Sequence, residues 1–201
     1  MDASKIKEAT DIRATLRFPE AVTKHFAFFE KWGLNCIHAE STIVRYSLNG
    51  VNVNIFIGRH SFMIDAEFQK HNSDLMFYFI DLLRLFSCPE ATTYRCYQAT
   101  TAESVSRGVE ILSNIFRRRL TVDMLTDNTL FSRLGKQREE NARAWYRRME
   151  VERLRLQLAN AWEKRDYRAI VGVSSRIDVT IWSQTEKLKI DYAKKRLFEH
   201  K

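Results

Sequence analysis

The residues that could bind a metal or move a proton are few and scattered. The five histidines are His25, His38, His60, His71 and His200, and no two share a motif. A metal site needs His, Cys, Asp or Glu clustered at ligand spacing. His60 with Asp65 and Glu67 comes closest, and solvent-facing polar positions on a strand account for that trio. The three cysteines, Cys36, Cys88 and Cys96, form no CxxC pair. Cys88, between Ser87 and Pro89, reads as a buried thiol at a helix end. The chain has no G-x-S-x-G elbow, no P-loop and no G-x-G-x-x-G. Glu139 and Glu140 are neighbours on a helix and so point in different directions. The expectation is a protein that is not an enzyme, with no catalytic residue, no metal and no cofactor.

Charge offers a second kind of chemistry. Residues 1–100 carry 11 Lys/Arg and 11 Asp/Glu, so residues 101–201 supply the whole net charge of +8. A basic half suits an anionic partner such as nucleic acid, a phosphorylated ligand or an acidic protein surface. A surface charged for solubility is the simpler account. Arg117, Arg118 and Arg119 form the least compensated cationic patch. Further along lie Arg138, Arg143, Arg147, Arg148, Arg153 and Arg155, with Trp145 and Tyr146 among them. Arginines contact phosphate and aromatic rings stack on bases. Glu139, Glu140, Glu150 and Glu152 are interleaved at the three- and four-residue spacing of intrahelical ion pairs.

Residues 42–68 read as three antiparallel strands. Asn49-Gly50 separates the first two and Gly58-Arg59 the second and third. Val51, Val53, Ile55 and Ile57 alternate with Asn52, Asn54 and Phe56. Phe62, Ile64, Ala66 and Phe68 alternate with Ser61, Met63, Asp65 and Glu67. Period-two alternation predicts one buried face and one open face, the latter showing Asn52, Asn54, Asp65 and Glu67. Asn-Gly supplies the positive φ angles of a two-residue hairpin turn.

A helix is expected from Phe18-Pro19-Glu20 to Trp32-Gly33, followed by a short edge strand over 36–39. Residues 73–86 read as a helix apolar nearly all round. The helix over 101–120 is expected to cover it, opened by a Thr100/Glu103 capping box. Asp127 is expected to cap a short helix to Leu134. A long helix over 136–164 follows, with Ala142, Trp145 and Met149 in its apolar stripe. A helix over 166–176 and another over 183–198 close the chain. In this hairpin Trp162, Tyr167, Leu188 and Tyr192 are expected at the helix contact, in a single tetratricopeptide-like pair.

The fold class is therefore α+β: an antiparallel β-meander packed with helices over 1–120, then a basic all-helical region over 121–201. Apolar runs are too short to span a bilayer. An unpaired set of cysteines and a polar start, MDASKIKEAT, point to a reducing, cytoplasmic setting.

Several stretches resemble one family of small bacterial proteins. "FAFFEKWGLNCIHAESTIVRYSLNGVNVNIFIGRHSFMIDAEF" looks like its opening helix, hairpin and third strand. "RLTVDMLTDNTLFSRL", "LANAWEKRDYRAIVGV" and "QTEKLKIDYAKKRL" are similar to its later segments. Some members resemble the immunity proteins that accompany secreted polymorphic toxins. The resemblance implies a cognate protein partner, such as a toxin domain, and carries over no catalytic residue. A basic toxin would call for an acidic inhibitor. A chain of net charge +8 would instead meet an acidic toxin, or use a local acidic patch at Asp65 and Glu67. The alternative is a nucleic-acid-binding module using the basic helices. Candidate partner-binding residues are thus Asp65, Glu67, Arg117, Arg118 and Arg119.

Overall fold

A computed structural model describes residues 13–199. Among these, six strands form one antiparallel sheet. They are β1 (Asn35–Glu40), β2 (Ile43–Leu48), β3 (Val51–Ile57), β4 (Met63–Lys70), β5 (Met76–Tyr78) and β6 (Tyr97–Gln98). The first five lie in chain order, and β6 joins the outer edge of β4 at the end that β5 leaves free. The turn after β2 is the expected two-residue one. Leu48 pairs with Val51, and Asn49 and Gly50 hold φ of 47° and 81°. The next connection is longer than Gly58-Arg59. Phe62 falls in this loop at φ 52°, with Gly58 N bonded to Met63 O at 2.8 Å.

Val53, Ile55, Ile64, Ala66 and Phe68 occupy the buried face as alternation requires. Among the described residues five helices lie wholly within their unit: α1 (Phe18–His25), α2 (Phe28–Lys31), α3 (Phe79–Leu85), α4 (Ala102–Arg119) and α5 (Val122–Thr126). The chain breaks helical pairing between α1 and α2, where one helix was expected. Gly33 ends α2's turn at φ 82°. Phe116 on α4 sits at the centre of the core. Its ring lies 4.3 Å from Phe79, 5.3 Å from Phe26, 5.7 Å from Phe29 and 5.8 Å from Phe68, centroid to centroid. Gly108 lets α4 approach the sheet: a Cβ there would stand 2.5 Å from the Tyr97 ring and 2.8 Å from Ile64.

Two local readings are corrected. Residues 76–78 are strand, not helix, and the helix begins only at Phe79. Short apolar runs carry no period that separates the two states. Helix α4 is capped one residue later than expected, by Thr101, whose Oγ1 accepts from Ser104 N at 3.2 Å. Ser104 Oγ returns the bond by accepting from Thr101 N at 3.0 Å.

Helix α6 (Leu130–Glu163) is continuous where a separate short helix was expected from Asp127 to Leu134. Asp127 Oδ1 instead accepts from Thr129 N at 2.8 Å just before it. Contacts divide the chain inside α6, into one unit ending at Arg138 and a second beginning at Glu139. The division falls there, and not after residue 120, because Leu125, Leu130 and Leu134 belong to the first core. Gln137 Nε2 donates to Asp81 O at 2.9 Å, and the Arg138 guanidinium lies 4.1 Å from the Phe77 ring. Residues 138–150 are exposed on every side. The expected core positions Trp145 and Met149 are therefore surface residues, at 53% and 45% exposure.

The second unit contains the end of α6, α7 (Tyr167–Ser174) and α8 (Gln184–Glu199). Its core is Leu154, Leu158, Ala161, Ile170, Val173, Trp182, Ile190 and Ala193. No helix among the described residues is long and apolar enough to cross a membrane.

Candidate functional site

The acidic pair Asp65 and Glu67 does not form an open patch. Asp65 is buried. The segment entering β6 folds over it. Tyr94 Oη donates to Asp65 Oδ1 at 2.7 Å, Ala66 N donates to the same oxygen at 2.8 Å, and Cys96 Sγ donates to Oδ2 at 3.2 Å. Burial raises the Asp65 pKa above its ordinary value, against the opposing pull of these donors. Burial first, and then the neighbouring carboxylate, push the Cys96 thiol up to about 12. A thiol so high is not a nucleophile at neutral pH, since the thiolate is the reactive form. Glu67 is half-buried and closes a ladder across three strands. Arg45 Nε donates to Asn54 Oδ1 at 2.7 Å, and Asn54 Nδ2 donates to Glu67 Oε1 at 2.8 Å. Asn52, Asn54 and Asp65, expected to face solvent, are buried: Asn54 lies between Arg45 and Glu67, and Asp65 lies under Tyr94 and Cys96.

The cationic run is also engaged. Arg119 pairs with Glu90 at 2.8 Å, an acid distant in sequence that local inspection could not supply. Arg117 lies over the Phe28 ring at 4.8 Å, and Arg118 Nε donates to Asn114 O at 3.2 Å. Arg117 and Arg118 remain exposed. The structure does not bring Arg117, Arg118 and Arg119 together with Asp65 and Glu67 in one lined cavity.

A better-formed site lies wholly in the second unit. The link between α6 and α7 sets it up. Arg165 takes a left-handed φ of 54°, its N–H bonds to Trp162 O at 3.0 Å, and Asp166 N bonds to Ala161 O at 2.9 Å. This is the paired bonding of a Schellman stop. Asp166 then caps α7, its Oδ1 accepting from Ala169 N at 2.9 Å. The tight turn leaves Trp162 and Tyr167 close enough to share one ring on α8. Tyr192 lies 5.7 Å from Trp162 and 5.8 Å from Tyr167, each pair edge-on.

Helix α8 is fixed by a reciprocal Ser183/Glu186 box: Ser183 N donates to Glu186 Oε2 at 2.7 Å and Glu186 N to Ser183 Oγ at 3.3 Å. Arg155 anchors it further, 3.4 Å from Glu186 Oε1. Ile190 and Ala193 turn into the core. Leu188 is two residues from Ile190, about 200° round the helix, and so faces out at 62% exposure. Tyr192 is 41% exposed.

The result is a groove of about 730 Å³ lined by Trp162, Tyr167, Leu188 and Tyr192 together with Arg165, Thr185, Lys189 and Arg196. Lys189 Nζ stands 5.4 Å above the Trp162 ring, and Arg196 Cζ 5.3 Å above Tyr192. The four aromatic and aliphatic residues were expected inside the helix contact. Of these, Trp162 and Tyr167 are half-buried and pack against the second core, whereas Leu188 and Tyr192 are exposed; Trp182 and Ile190, which the sequence analysis does not single out, are buried in that core. The phase of Ile190 against Leu188 was the available signal. Among the described residues no group of His, Cys, Asp and Glu could hold a metal ion. No protein-family profile, curated protein or solved structure matches the chain.

Proposed function

We propose that this chain is a non-enzymatic, cytoplasmic interaction protein that holds a protein partner in the groove of its C-terminal unit. The observation that carries this reading is the set of rings at Trp162, Tyr167 and Tyr192, held by the end of α6 and the capped helices α7 and α8, partly exposed and lining one groove. Rigid aromatic anchors in a preformed recess are what protein interfaces use for most of their binding energy. The motif resemblance supplies a setting: an immunity protein that blocks a cognate toxin by occupying its surface. The test is affinity capture from the native cell with wild type and a Leu188→Glu variant. The reading expects a specific partner that the variant loses while its far-UV spectrum and melting are unchanged. A partner retained by Leu188→Glu would place the interface elsewhere.

A second reading has its own observation. Trp145 and Tyr146 are exposed beside Arg147 and Arg148, both exposed. That combination suits single-stranded nucleic acid, where rings stack on bases and guanidinium groups meet phosphate. Binding of a labelled oligonucleotide at about 50 mM salt, weakened by replacing both arginines with Ala, would support it. No binding at that salt concentration would remove it.

A further inference from the structure

The groove is cationic as well as aromatic. Arg165, Lys189 and Arg196 line it, and no Asp or Glu does. Among the described residues Arg165 has no acid within ion-pairing distance. Lys189 rests over the Trp162 ring and likewise has no ion pair among the described residues, so both charges can meet a ligand. Arg196 is steered by its own neighbours: its Nε donates to Tyr192 Oη at 2.9 Å and its Nη1 lies 3.4 Å from Glu199. Two of the three cations are thus held against the faces of rings that also line the recess. Cations so placed are pre-oriented at the walls, and ring and charge are presented together.

Resting on the reading that this groove holds a protein partner, we infer that its occupant is an acidic peptide segment. An apolar side chain of that segment lies among Trp162, Tyr192 and Leu188, and flanking carboxylates meet Arg165, Lys189 and Arg196. Charge complementarity decides the class. A basic segment would meet three cations and no acid in the lining, and a neutral one would leave Arg165 and Lys189 without partners as the groove closes over them. The aromatic floor excludes a plain polyanion as the best ligand, because a chain with no apolar side chain leaves the rings uncovered. It also answers the charge question raised by the sequence: a chain of net charge +8 that blocks another protein is suited to an acidic target surface.

The probe is a fluorescein-labelled peptide rich in Glu with one central Phe. Fluorescence anisotropy would be read on the full chain, with the same peptide carrying Gln for every Glu and a single-stranded DNA oligonucleotide as comparisons. The expected result is binding of the Glu peptide, at least about tenfold weaker for the Gln peptide, and a comparable loss in a Lys189→Glu/Arg196→Glu variant. Binding should also weaken as salt rises. Equal binding of the Gln peptide, no binding of the Glu peptide, or indifference to the charge reversal would each overturn the inference. Preference for the oligonucleotide, lost in the same variant, would overturn it in favour of nucleic acid. The capture experiment with Leu188→Glu separates the two levels. If the native partner is still lost while the Glu peptide fails, the groove reading stands and only the acidic occupant falls. If the native partner is kept, the groove reading itself falls.

Discussion

The two units use aromatic residues in opposite ways. In the first, Phe26, Phe29, Phe68, Phe79 and Phe116 pack ring against ring with no exposed face. In the second, Trp162, Tyr167 and Tyr192 meet edge-on at the surface with a lysine and an arginine over two of them. The difference is one of layers. The first unit has a sheet, helices α1, α3 and α4, and the connecting segments to close over its rings. The second has the end of α6 and two further helices, which bury Trp182 but cover Trp162 and Tyr167 only in part. Small units bury a smaller fraction of their surface, so an amphipathic face can be specified and still stay open. Periodicity tells which residues share a face. Whether anything covers that face depends on tertiary neighbours.

The sharpest way to break the comparison is to remove the ring on which the first core turns. Phe116→Ala should cost about 3–5 kcal/mol, because the cavity would open among four rings that cannot collapse together. Urea unfolding would measure it. A loss below about 1 kcal/mol would mean that the first unit, too, tolerates missing aromatics.

How much of this was legible in the sequence follows the same division. The meander, the Asn49-Gly50 turn, the cap at Gly33 and the α7 start at Asp166 all rest on local chemistry, and all are present. The apolar run that becomes β5 and α3 was not separable, since strand and buried helix look alike over so few residues. Asp65 was read as open because Tyr94 and Cys96, which bond it, lie far along the chain. Trp145 and Met149 share an apolar stripe, but no other element covers that face among the described residues. The helix contact differs from expectation for a related reason: Leu188 and Tyr192 form one stripe of α8, Ile190 and Ala193 another, and only the second is buried.

A smaller effect is expected from filling the close approach of α4 to the sheet. Gly108→Ala should destabilise by about 1–3 kcal/mol despite the better helix propensity of Ala, since the new methyl meets the Tyr97 ring and Ile64. A stabilised variant would show that β6 yields easily and that the first core is looser than its rings suggest.

The buried Asp65 should leave a fainter mark, in the pH dependence. Its pKa is raised in the folded protein, chiefly by burial. For an acid shifted upward, folding favours the protonated form. Its contribution is therefore fully present below the ordinary value of 3.8 and is lost as pH rises through the folded value. Asp65→Asn does not titrate. The wild type should accordingly gain stability relative to that variant as pH falls into this window, read by denaturant titration at several pH values. The opposite slope would mean that the donors from Tyr94, Ala66 and Cys96 outweigh burial.

The claim that Leu188 and Tyr192 are there to bind and not to hold the fold is tested most directly by Leu188→Ser combined with Tyr192→Ala. Unfolding and partner capture would be measured on the same preparation. The account predicts a stability within about 1 kcal/mol of the parent, as expected for exposed side chains, together with loss of the captured partner. A variant that unfolds several kcal/mol more easily, or one that melts like the parent and still holds its partner, would contradict it.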